Sequence, residues 1–282
     1  MPKVLAAVDA SSYATSICDH AAWFATRMDA EVEVLHVIDR AEGARERLDL
    51  SGSVGLGASE TLMEELARAD EARGRVAREQ GKAMLDGAER RLREDGVTTV
   101  TQTHRHGEVA ETVIELEASA DLVVIGKRGE SGNFSHGHLG SKVERVVRGS
   151  IRPVLVVPRV FMPITRAVVA FDAGAASTKA LRHVLTSPVF DEVPCTVVIV
   201  SEAEAHAEQR SAAARAAAGA RQIDIQIVGG QVEEGLRSRL RHGEGDLLVM
   251  GAYGHSRIRE LIVGSTTTAM IRTSKLPVLL FR

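Results

Sequence analysis

Short apolar runs recur along the chain at spacings that suit strands alternating with helices. Val4–Val8, Val32–Val37, Thr98–Thr103, Leu122–Ile125 and Val154–Val157 are short and apolar or β-branched, which predicts strands. Leu122–Ile125 shows no alternation of apolar with polar residues, the pattern of a strand covered on both faces in a parallel sheet. After the first run, Ile17, Ala21, Phe24, Ala25 and Met28 fall on one stripe at helical spacing. Ser11 and Ser12 stand where that helix should start, and N-capping explains them. The charged stretch from Ser59 to Asp95 predicts one long helix with a wet face, preceded by a mobile loop over Ser51–Gly57. Ala203–Ala220 predicts a further helix with Arg and Glu on its wet side. Strands alternating with helices predict an α/β fold built on open, twisted, mostly parallel sheets.

The pattern then repeats. Asp121-Leu122-Val123-Val124-Ile125-Gly126 reappears as Asp246-Leu247-Leu248-Val249-Met250-Gly251. Arg152-Pro153-Val154-Leu155-Val156-Val157 reappears as Leu276-Pro277-Val278-Leu279-Leu280-Phe281. Lys3-Val4-Leu5-Ala6-Ala7-Val8-Asp9 matches Arg166-Ala167-Val168-Val169-Ala170-Phe171-Asp172. The three pairs keep one order, so the chain is read as a duplicated domain, residues 1–158 and 159–282, joined near Pro158–Pro163. The second copy is shorter in its middle, where the first carries the long charged helix. The apolar last strands, Val154–Val157 and Val278–Phe281, are suited to edge pairing that would pack the copies as an internal pseudo-dimer.

Composition narrows the function classes. In 282 residues, 44% are hydrophobic and 26% charged, ordinary values for a soluble globular chain. A formal charge of −3 encodes no general pull toward nucleic acid or an anionic membrane. Aromatics at 3% are too few for base-stacking platforms. No apolar run approaches the roughly 20 residues that a bilayer requires. The first apolar stretch ends at Asp9, unlike a signal peptide, which predicts a cytoplasmic location. With only Cys18 and Cys195, a disulfide scaffold is not expected; Cys18 is placed on the first helix and Cys195 just before a strand, as buried or half-buried thiols. His104 with His106, and His136 with His138, lack a Cys or acidic ligand set, so no metal site is expected and solvated loops are the default.

In open parallel sheets ligands bind beyond the strand C-termini, where the strand order reverses. Asp9 and Asp172 stand at the ends of the first strands, Val37 and Val200 at the ends of the second. The fourth strand of the second copy runs into Gly251-Ala252-Tyr253-Gly254 and on to Gly264-Ser265-Thr266-Thr267, a G-x2-G-x9-G-S pattern whose last pair falls at a helix start. The early glycines would let backbone approach a ligand with no Cβ in the way. The later Gly-Ser offers free N–H groups, a hydroxyl and the positive helix end, which together favour a phosphate. An acid after strand one can accept hydrogen bonds from an adenine amino group or a ribose hydroxyl. Turn geometry alone would explain an isolated Gly-x2-Gly, and Asp9 or Asp172 could merely cap the loops after their strands.

At these residues the chain closely resembles the universal stress protein family, in its tandem two-domain form. The resemblance covers essentially the whole chain, twice. It implies a Rossmann-like α/β fold of the adenine-nucleotide alpha-hydrolase kind, with a five-stranded parallel sheet per domain. It further implies an ATP-type nucleotide (ATP, ADP or AMP) as ligand, bound in members that keep the motif. In the second copy, Ala170, Asp172 and Val200 should hold the adenosine; Met250, Gly251, Tyr253 and Gly254 should line the sugar and phosphate path; Gly264, Ser265 and Thr266 should hold phosphate. In the first copy the matching residues are Ala7, Asp9, Val37, Ile125, Gly126, Arg128, Gly129, Gly140 and Ser141, followed by Lys142. There the spacer Glu130 to Leu139 is one residue longer, and Arg128 stands where the other copy has Tyr253, which makes this pocket more cationic.

The function so implied is a nucleotide-dependent stress-response or signalling factor, in which ATP orders the loops Lys127–Leu139 and His255–Val263 and changes a surface read by a regulatory protein partner. A homodimer beyond the internal pseudo-dimer is compatible with it. Catalysis is not expected: the sequence offers no Walker A motif, no Ser-His-Asp set, no general base beside the phosphate loop and no Mg²⁺ carboxylate pair. Two alternatives remain open at the level of sequence: a nucleotide-free interaction module, and a weak ATPase or phosphotransfer enzyme.

Overall fold

The computed structural model describes residues 1–39, 59–129, 141–241, 245–252 and 265–282. Its first half runs β1 (Lys3–Ala7), α1 (Ala14–Met28), β2 (Glu31–Asp39), α2 (Ser59–Glu94), β3 (Val100–Gly107), α3 (Val109–Leu116), β4 (Leu122–Gly126), α4 (Ser141–Gly149) and β5 (Val154–Val157). The second half runs β6 (Arg166–Ala170), α5 (Ala175–Thr186), β7 (Cys195–Val200), α6 (Glu204–Ala218), β8 (Asp224–Val228), α7 (Val232–Arg239), β9 (Asp246–Gly251), α8 (Ser265–Thr273) and β10 (Val278–Phe281). The predicted strands are all present. β2 extends to Asp39 and β3 to Gly107, so His104 and His106 lie within a strand rather than a loop. Cys195 is the first residue of β7, not a residue before it. The predicted mobile loop over residues 51–57 lies outside the described residues, as do His136 and His138.

Each half contributes five parallel strands, but they form one sheet. Its order is β3-β2-β1-β4-β5-β10-β9-β6-β7-β8, and β5 pairs antiparallel with β10, Leu155 facing Leu279. The expected edge pairing therefore fuses two sheets into a single ten-stranded one, and it satisfies the two backbone edges that would otherwise be open. Strand order reverses between β1 and β4 in one half and between β6 and β9 in the other, so each half has one switch point.

Helices cover both faces, which is why the central strands are apolar at every position: β5 and β10 are buried along their whole length. On one face α1, α2, α5 and α6 pack in one core; on the other α3, α4, α7 and α8 pack in a second. The α1 stripe is buried at Ile17, Ala21, Phe24 and Ala25. It also crosses between the halves, where Phe24 meets Phe190 edge-on at 6.1 Å between ring centroids. Ser11 does not cap α1 in the expected way: its Oγ accepts from the Tyr13 amide at 3.3 Å, two residues before the N-cap, and Tyr13 at the N-cap makes no side-chain cap bond.

The largest difference between the halves is α2. At 36 residues it is about 54 Å long, given 1.5 Å of rise per residue, and it packs its last turns on β2 and β3. Its counterpart α6 has 15 residues. Among the described residues no helix is long and apolar enough to cross a membrane.

Candidate functional site

The C-terminal ends of β1, β2 and β4 open into a cavity of about 980 Å³. Eight of the first-copy residues singled out by sequence line it: Ala7, Asp9, Val37, Ile125, Gly126, Arg128, Gly129 and Lys142. They come from four separated segments, and the β1/β4 reversal is what brings them together. Ser141 is the exposed first residue of α4, and Gly140 lies outside the described residues.

The glycines have local reasons. A Cβ on Gly126 would lie 2.7 Å from Tyr13 Cβ, and one on Gly251 would lie 2.9 Å from Ala176 Cβ. In both halves, then, the glycine closing the fourth strand lets the start of the first helix approach the sheet. Gly129 faces the site itself, since a Cβ there would come within 2.8 Å of Asp9 Oδ2.

Asp9 also orders its own loop by accepting from the Ser11 amide at 3.1 Å. Lys142 Nζ lies 2.8 Å from Asp39 Oδ2, and the Asp39 side chain is nearly buried. Arg128 Nε is buried with no hydrogen-bond partner among the described residues, in a wall that already holds the Lys142 cation. The site is thus an apolar slot between Ala7, Val37 and Ile125, an acid at one side and cationic groups beyond it.

Sequence reasoning missed one wall. Residues 70–84 of α2, including Asp70, Arg73, Gly81 and Met84, close the cavity from above, joined by Asp39 and His106. Gly81 is the signal that could have found it. A Cβ there would lie 2.5 Å from His104 Nε2 and 2.7 Å from His36 Cδ2, so this glycine seats α2 on the histidines of β2 and β3. His104 is held below the ordinary imidazole value by burial, with His36 and His106 adding to the effect.

The second-copy residues occupy the matching switch point. Ala170 ends β6, Val200 ends β7, and Met250 and Gly251 end β9. Asp172 Oδ1 accepts from Ser177 Oγ at 2.5 Å and from the Gly174 amide at 2.9 Å, so this acid holds the start of α5. Val200 is covered by α7, where a Cβ on Gly235 would lie 3.0 Å from Val200 Cγ2. The first turn of α8 returns to β9, Thr267 Oγ1 donating to the Gly251 carbonyl at 3.3 Å; Ser265 there is exposed and Thr266 half-buried. Tyr253, Gly254 and Gly264 lie outside the described residues, with most of both loops expected to respond to ATP.

Comparisons with known proteins bear on the family and the fold. The model of the universal stress protein family matches residues 1–158 and 197–282. Universal stress protein Slr1230 of Synechocystis is 33% identical over 287 residues, covering the whole of both chains. Among solved structures, a universal stress protein from Archaeoglobus fulgidus covers 99% of this chain with 98% of its own, at 19% identity and a TM-score of 0.68. A universal stress protein solved in complex with cAMP covers 55% of this chain at 19% identity and a TM-score of 0.37. Two family matches in one chain, a full-length relative and a fold shared end to end show that the chain belongs to the universal stress protein family in its tandem form.

Proposed function

We propose that the cavity of the first half binds an adenine nucleotide, ATP, ADP or AMP, and that the protein acts in the cytoplasm as a nucleotide-dependent stress-response or signalling factor. The observation that carries this reading is the convergence of eight residues from four separated segments on one cavity at the sheet's switch point. The donor set fits the ligand. Ala7, Val37 and Ile125 offer a narrow apolar slot for a base, and Asp9 offers a carboxylate to a ribose hydroxyl. Arg128 offers a buried N–H that finds no acceptor among the described residues. Lys142 already faces Asp39, so a phosphate there competes with that carboxylate.

Binding at the second half is weaker in this account, because Asp172 is engaged by Ser177. Ser265 and Thr266, with Gly264, remain its phosphate end. We place the division between the copies at 158/159, in the segment between β5 and β6. The bound nucleotide serves as a signal rather than a substrate: turnover should stay well below the roughly 1 per second of ordinary enzymes. A regulatory protein partner reads the liganded state.

The test is mass spectrometry of small molecules released by denaturing freshly purified protein, with an ATP thermal-shift titration beside it. The expected result is a co-purified adenine nucleotide and a rise in melting temperature, equivalent to ~2.7 kcal/mol at a hundredfold excess over Kd. A clean protein with no shift for any adenine nucleotide would overturn the proposal and favour a nucleotide-free interaction module.

A further inference from the structure

A second cavity, of about 420 Å³, lies where the two halves join. Its walls are Lys127 just after β4, Pro158, Arg159, Val160 and Met162 between the halves, Asp246 at the start of β9, and residues 274–277 between α8 and β10, so Arg159 and Lys275 are further charged groups around Lys127. Its size falls in the lower part of the range of small-molecule pockets.

Two unrelated anomalies meet there. One is a cation without a counter-ion. Lys127 Nζ donates to the Ser274 carbonyl at 2.7 Å, which uses one of its three donors, and no carboxylate among the described residues pairs with it. The acid in the same wall, Asp246, is committed elsewhere: Arg166 holds it at 2.6 and 2.9 Å and the Arg241 amide donates to it at 2.7 Å. Burial, with Arg128 adding to it, pushes the Lys127 amine down to about 8. The other anomaly is apolar surface left in water. Val160 and Met162, in the same wall, are 71% and 39% exposed. Leu276 and Pro277 extend that surface inward.

We propose that this cavity binds a small monocarboxylate carrying a short apolar tail, its carboxylate on Lys127 and its tail on Val160, Met162 and Leu276. A carboxylate accepts the two remaining Lys127 protons in charge-assisted bonds, and the tail covers apolar surface that is now wet. Because an opposite charge restores the protonated amine, binding above the titration point of Lys127 takes up a proton. The site exists once per chain, since Ala252 occupies the Lys127 position in the second copy. It shares no lining residue with the nucleotide cavity and its test needs no nucleotide, although Lys127 lies between Gly126 and Arg128, which line that cavity.

The experiment is calorimetric titration of the full chain with hexanoate, hexanol and inorganic phosphate, at pH 7 and pH 9, in two buffers of different ionisation enthalpy. The account expects one hexanoate per chain, at least tenfold weaker binding of hexanol and phosphate, and proton uptake that is larger at pH 9. Hexanol binding as well as hexanoate would overturn it, because the site would then read only the tail. Phosphate binding as well would overturn it too, because the site would read only charge. Lys127→Met should lose at least tenfold in hexanoate affinity. Val160→Trp, a change at an exposed position that fills the cavity and leaves Lys127 in place, should do the same; wild-type affinity in that variant would contradict the location.

Discussion

In the first half Asp9 lies at the mouth of a 980 Å³ cavity, its carboxylate accepting from the Ser11 amide. In the second half Asp172, at the matching position, accepts from Ser177 Oγ at 2.5 Å and clamps its own helix. Among the described residues, one side chain at the start of the first helix differs. Ser177 corresponds to Ala14, as Ala176 corresponds to Tyr13 against the paired glycines Gly251 and Gly126. A duplicated fold has kept the packing that builds each switch point and changed what the acid there is bonded to. The same division of labour recurs at the strand starts. Arg166 and Asp246 form a buried, doubly bonded pair in the second half, with side chains 14% and 1% exposed. At the matching positions of the first half, Asp121 is exposed and accepts, among the described residues, only from the Lys3 backbone amide at 2.9 Å, while the Lys3 ammonium turns to Glu33 at 3.0 Å.

The largest expected effect breaks that last pairing. Arg166→Met leaves Asp246 charged and buried, and should cost about 3–5 kcal/mol of stability, against about 1 kcal/mol for Lys3→Met. Urea unfolding of the two variants checks it; equal losses would remove the distinction between the halves.

Acid should act next, through the first half. His20 is fully buried, its Nδ1 bonded to the Ser16 carbonyl at 2.7 Å and its ring edge-on to Phe161 at 4.8 Å. Burial lowers it to about 4, from an ordinary imidazole value near 6.5, while the Ser16 bond opposes the shift. The unfolded chain therefore binds this proton first. Stability is complete above pH ~6.5 and falls as the pH drops toward ~4, by about 3 kcal/mol in total. His20→Leu should flatten that part of the stability-against-pH curve; an unchanged slope would show that other groups produce it.

The smallest effects sharpen the comparison of the two acids. Ser177→Ala removes the Asp172 clamp and should cost about 1–2 kcal/mol, while raising the affinity of the second half for ATP. The reciprocal Ala14→Ser should install the clamp in the first half and weaken ATP binding there roughly tenfold, about 1.4 kcal/mol. Equilibrium titration of both variants reads the pair, and a change in neither would mean that the clamp does not govern binding.

The sheet, the duplication and the β5–β10 seam were legible because doubly buried strands leave long apolar runs and a repeat leaves them twice. The α2 wall was not legible. Its cavity-facing residues Asp70, Arg73, Gly74, Ala77, Gly81 and Met84 keep helical spacing, but they mix charged with small side chains instead of large apolar ones, so the face does not stand out as a core stripe. His104 and His106 read as a loop because His-Arg-His carries no β-branched signal, although in place they extend β3 beyond the reach of its counterpart β8. Nothing in the sequence singles out Ser177, since sequence shows a hydroxyl but not the carboxylate it finds. Ser11 reads as a cap, and the helix begins two residues later than a cap at that position requires.

The most direct test of the central claim is calorimetric titration of ATP into the wild-type chain and into Gly129→Val. The new side chain would fall within 2.8 Å of Asp9 Oδ2, at the mouth of the cavity and away from both cores. The account predicts at least a tenfold loss of affinity at the tighter site with an unchanged melting temperature. Wild-type affinity in Gly129→Val would contradict the assignment of the first-half cavity as the nucleotide site.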